Sequence, residues 1–93
     1  MGRQTTFYPT TTQTVSYDAA VATSNAVGNQ TYTVRLVATT NAHYAIGGSP
    51  TATTSDPYLP ADTIEYISIK PGQKVSFIKN SGAGTAYVTE VTQ

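Results

Sequence analysis

The segment from Gln30 to Thr40, QTYTVRLVATT, alternates between two classes of side chain and constrains the fold more than any other stretch. Successive strand residues point to opposite faces. Period two therefore places Tyr32, Val34, Leu36 and Ala38 on one side, with Thr31, Thr33, Arg35, Val37 and Thr39 on the other. The segment reads as a long strand with one apolar face.

The same pattern recurs downstream. Thr63 to Lys70, TIEYISIK, sets Ile64, Tyr66 and Ser68 against Glu65, Ile67 and Ile69, and Thr85 to Val91 puts Tyr87, Thr89 and Val91 on one side. His43 to Ile46 reads as a short strand ending at Gly47-Gly48, and Gln13 to Tyr17 as another. Lys70-Pro71-Gly72-Gln73 suits a type II turn, because Pro presets φ and Gly takes φ above zero. A hairpin into Lys74–Lys79, KVSFIK, is expected to follow. With Asn80 to Gly84 as a second turn, the C-terminal half reads as a meander. Asp18 to Gly28 is ambiguous: its alanines allow a helix, but Thr23, Ser24 and Asn25 compete for backbone hydrogen bonds, which favours an irregular strand pair. Threonine dominates the chain, seven tyrosines accompany it, and the helix formers Lys, Glu and Leu are sparse. The expected fold is all-β, a compact β-sandwich or jelly roll of seven or eight short antiparallel strands.

A chain of 93 residues supports one domain, expected over 15–93, preceded by an extended N-terminal arm over 1–14. So small a domain buries only about 60% of the surface its unfolded chain exposes. There is no cysteine to add a disulfide, so assembly with copies of itself or with a larger partner is the expected route to stability. Phe7 and Tyr8, adjacent aromatics in a polar tail, are the expected anchors of the arm on a neighbouring subunit.

Five basic and five acidic residues cancel, and charged residues make up 11% of the chain. Arg3, Arg35, Lys70, Lys74 and Lys79 are scattered, which argues against nucleic acid and membrane surfaces as partners. No apolar run approaches the roughly 20 residues of a membrane span, and the polar start has no secretory h-region. Synthesis and residence in a cytosol are expected. The opening MGRQTT matches the loose myristoylation pattern and Asn29-Gln30-Thr31 a glycosylation sequon, and both are read as chance.

His43, the only histidine, could stand with Ser49 or Ser55 and Asp56 or Asp62 in a triad, but no nucleophile elbow surrounds either serine. One histidine without cysteine makes no zinc site, and Asp56, Asp62 and Glu65 lack the spacing of an EF-hand loop. Asp56 and Asp62 flank prolines and are read as turn residues rather than a glycosidase pair. Gly47-Gly48-Ser49 and Gly82-Ala83-Gly84 precede no helix that would hold a phosphate. No enzyme activity, cofactor or metal is expected. The run from Ser49 to Asp62 is long for a connecting loop, is stiffened by Pro50, Pro57 and Pro60, and carries Tyr58-Leu59. Pro57, Tyr58 and Leu59 are expected either to plug the domain or to reach a neighbouring protein.

The stretch Val34 to Val91 resembles small virion proteins of tailed bacteriophages. The shared pattern is a strand ending in ATT, an A-I-G turn, a P-T-A-T loop, an L-P-A-x-T-x-E-Y strand start, a P-G-x-K-V hairpin and a terminal G-T-x-Y-V-T-E. The resemblance covers about the last two thirds of the chain. It implies a virion structural protein, made in the bacterial host cytoplasm, that decorates or cements the capsid surface by binding the major capsid protein. A tail or neck component is the second reading. A homo-oligomer is expected, with trimers at local threefold positions favoured by closed symmetry. A module of a different class would bind host-surface glycans through exposed Tyr44, Tyr58 or Tyr87.

Overall fold

A computed structural model describes residues 8–92. Eight strands follow one another along the chain: β1 (Tyr8–Tyr17), β2 (Ala22–Thr23), β3 (Thr33–Ala38), β4 (Ala42–Gly47), β5 (Tyr58–Leu59), β6 (Glu65–Ser68), β7 (Lys74–Lys79) and β8 (Gly84–Thr92). They form two antiparallel four-stranded sheets, ordered β1-β8-β3-β6 and β2-β7-β4-β5. β1 pairs with β8, β2 with β7, β3 with β6 and β4 with β5, as in one long hairpin rolled up on itself. The pairings β3–β8 and β4–β7 complete the two sheets. This connectivity is that of a jelly roll.

Alternation sets the layers. In β3, Val34, Leu36 and Ala38 point inward and are fully buried, while Thr33, Arg35 and Val37 face outward. Val75 and Phe77 of β7, Ala42 and Tyr44 of β4, Leu59 of β5 and Ala86 and Val88 of β8 meet them in one core. Tyr17 of β1 crosses between the sheets to stack on Phe77, with ring centroids 6.2 Å apart. Its buried hydroxyl donates to the Thr40 carbonyl at 2.7 Å and accepts from the Thr40 amide at 3.1 Å. Gly84 lies opposite Tyr17 in the β1–β8 register. A Cβ there would sit 2.7 Å from the Tyr17 hydroxyl and 2.8 Å from Thr39 Oγ1, so the corner requires glycine.

The Pro71-Gly72 turn forms as expected: Gln73 N–H donates to the Lys70 carbonyl at 3.1 Å and Gly72 has φ of 83°. The hairpin expected around it does not. β6 joins β3 while β7 joins β4 and β2, so the turn carries the chain from one sheet to the other and the C-terminal half is not a meander. A turn signal fixes the reversal of the chain but leaves open which sheet the next strand enters. Here the crossover sets the inward faces of β6 and β7 against one core.

The boundary of the expected arm moves as well. β1 begins at Tyr8, so residues 8–14 lie in the sheet, with a bulge between Pro9 and Thr11. A polar stretch makes a strand when a ladder partner and β-branched residues are available, and β8 and the threonines supply both. Residues 1–7, including Phe7, lie outside the described residues. In the ambiguous 18–28 segment only Ala22–Thr23 is regular, and bonds from Ser24 N to Val75 O (2.8 Å) and Val27 N to Gln73 O (2.9 Å) continue it irregularly along β7.

Candidate contact surface

The two outer faces of the sandwich differ. Over β2-β7-β4-β5 the loop of residues 48–57 folds back as a cover. Ala52 in this loop is 1% exposed although it lies outside the core cluster. His43, facing outward from β4, binds the loop through Nδ1, 2.9 Å from the Asp56 carbonyl, and reaches the Asn80 side chain through Nε2 at 3.0 Å. Tyr58 packs on the imidazole at 5.4 Å. Ser76, outward on β7 between inward Val75 and Phe77, is completely buried, and its hydroxyl has no hydrogen-bond partner.

Both nitrogens of His43 are thus engaged, Nδ1 with the loop and Nε2 with Asn80 just after β7, and among the described residues neither Ser49 nor Ser55 bonds it. Asp56 accepts from the Thr53 amide at 2.7 Å, the local turn chemistry its place beside proline suggests. Asp62 takes φ of 58° and donates its amide to the Ala38 carbonyl at 2.8 Å. Tyr44, an expected sugar-stacking candidate, is buried instead and donates to Glu65 Oε1 across the sandwich at 3.1 Å. Burial first, and the Glu65 bond second, hold its phenol above the usual tyrosine pKa.

The expected contact residues separate. Pro57 and Tyr58 are exposed at the loop's end, whereas Leu59 is fully buried and pairs with Ala42. Leu59 is therefore a core residue and offers no contact surface, because adjacent strand residues face opposite ways. Tyr8 starts β1.

The outer face of β1-β8-β3-β6 is exposed at Tyr87 and Tyr66, while Thr89 and Val91 on the same side are buried. Its register builds two rows across the sheet. Thr14 stands opposite Tyr87, which stands opposite Val37; Thr12 faces Thr89, then Arg35, then Tyr66. Ile64, just before β6, shares the side of Tyr66 by alternation. Ile64, Tyr66 and Tyr87 are 50%, 49% and 40% exposed, which makes this the larger cluster of exposed aromatic and apolar side chains. Neighbouring hydroxyls frame them, and Thr12 and Thr89 bond each other at 3.1 Å. With strands about 4.8 Å apart, the four span a strip about 14 Å wide. A surface of tyrosine, arginine and threonine with no carboxylate facing outward suits contact with another protein.

Sequence reading placed Tyr87 with Thr89, and Ile64 with Tyr66, on common faces, but did not bring the two sets together. The strand order does that. Comparison with protein-family models, curated proteins and solved structures finds no match.

Proposed function

We propose that this chain is a structural component of a bacteriophage virion that binds the outside of the capsid and reinforces contacts between major capsid subunits. The observation that carries the reading is the open sheet face, with Tyr87, Tyr66 and Ile64 set in a threonine frame. It supplies a broad contact of aromatic and hydroxyl groups, with the Arg35 cation among them, in place of a cleft, as a cement protein needs. Such a protein spans a seam so that separating the shell subunits also exposes its own buried area, which costs roughly 25 cal/mol per Å² of apolar surface. The virion-protein resemblance of Val34 to Val91 supports the same reading.

Quantitative mass spectrometry of purified virions tests it. A copy number near that of the major capsid protein, or a simple fraction of it, is expected, together with loss of occupancy in a Tyr87→Asp variant that remains folded. A trace ratio would assign the protein to the tail or neck, and absence from virions would overturn the proposal. The exposure of Tyr58 and Tyr87 favours a glycan-binding module as the second reading. A glycan array without signal above background would remove it.

A further inference from the structure

Four strands lie at sheet edges, and three of them are short: β2 and β5 have two residues each and β6 has four. β1 is the fourth, with ten residues, paired only on the side of β8. Apart from the ladder to β8, no backbone hydrogen bond among the described residues reaches β1. The Gln13 side chain turns inward, accepting from the Asn25 amide at 2.8 Å and donating to the Asn25 carbonyl at 3.3 Å, so it ties β1 to the segment that follows β2 through a side chain and not through the β1 backbone.

Protein edges are ordinarily blunted by charge, by proline or by being short. β1, YPTTTQTVSY, carries no charged residue, and its one proline is second in the strand, beside the bulge. From Thr11 to Tyr17 the ladder to β8 is regular. The same stretch presents a row of N–H and C=O groups on its other side.

We propose that two copies of this chain pair β1 to β1, antiparallel about a two-fold axis, and join their sheets into one of eight strands. The occupant is a second copy because an isologous contact satisfies two identical edges reciprocally. Self-pairing here also sets only uncharged side chains against one another, whereas β6 would bring Glu65 and its neighbours into play. The axis stands perpendicular to the sheet, so the Tyr87 faces of both copies lie on the same side and form one doubled surface. The inference rests on β1 and is independent of capsid binding.

Sedimentation velocity on the full chain reads the mass directly, with a species of twice 9.8 kDa expected. In Thr14→Lys/Ser16→Lys, whose two sites are exposed on the outer face, like charges meet across the axis and the dissociation constant is expected to rise roughly tenfold or more. Because the chain has no cysteine, single variants Thr12→Cys, Thr14→Cys and Ser16→Cys provide a second measurement. Under mild oxidation, disulfide dimers should form at the position nearest the axis and fall away at the others. A monomer at 100 µM, a trimer, or equal cross-linking at all three positions would overturn the proposal.

Discussion

Removing the Tyr17 hydroxyl tests how the sandwich is fastened at its corner. In Tyr17→Phe the ring still fills its place against Phe77, so the apolar burial is kept. What goes is the pair of bonds at 2.7 and 3.1 Å to the carbonyl and amide of Thr40, the middle of the three residues that link β3 to β4. Each hydrogen bond contributes about 0.5–1.5 kcal/mol net, which gives a loss of about 2 kcal/mol for the two. For a domain of this size that lowers Tm by roughly 8–16 °C. Circular dichroism melts and urea titrations at constant pH measure it. Gly84→Ala provides the control, because its new methyl would sit 2.7 Å from the same hydroxyl. The clash is partly relieved in the Tyr17→Phe background, so the two losses should add to less than their sum by about 0.5 kcal/mol or more. Additive losses, or a Tyr17→Phe melt within a degree or two of the parent, would refute the corner argument.

Leu59→Ala should cost about 2–5 kcal/mol in urea unfolding, since the side chain is fully buried in the core. Tyr58→Ala, at the adjacent position, should cost much less. Ser76→Ala removes a buried hydroxyl without a partner and should leave stability unchanged or raise it by about 1 kcal/mol, read from the same titrations. Tyr44 has a folded pKa raised above the ordinary 10.0, so its stabilising effect is complete below that value and is lost as pH rises through the folded pKa. Alkaline unfolding should therefore begin at higher pH in Tyr44→Phe than in the parent once their difference in neutral stability is subtracted, and superimposable curves would contradict this.

The faces of the long strands were legible because period two is local. Val34, Leu36 and Ala38 are inside and Thr33 and Arg35 outside, as their alternation requires, whereas Tyr32 and Thr31 precede β3 and depart from it, Tyr32 being 63% exposed and Thr31 buried. The Pro71-Gly72 turn was legible for the same reason. Strand order was not, since it depends on pairings between distant residues: β6 and β7 are joined by only five residues, 69–73, yet sit in different sheets. The C-terminal part of β1 was legible as a strand over Gln13 to Tyr17, but its start at Tyr8 was hidden because the preceding residues are polar and show no apolar face, and only the pairing with distant β8 makes them a strand. Leu59 was read together with Tyr58 because a two-residue strand is too short to show alternation, although the two point to opposite sides. The candidate surface was half legible, its residues named by face but not assembled across strands.

The pairing of β1 with β8 also bears on how the chain is made. Thr10 bonds the carbonyl of Glu90, 80 positions later, so the first strand leaves the ribosome long before its partner exists. At roughly 5–20 residues per second, that interval is about 4–16 s, against microseconds for a local hairpin to close. Every pairing that encloses the core except β4 with β5 must wait in the same way, so the topology is inherently slow to fold. Yield in the cell should therefore depend on translation speed and chaperone supply more than on the stability of the finished sandwich.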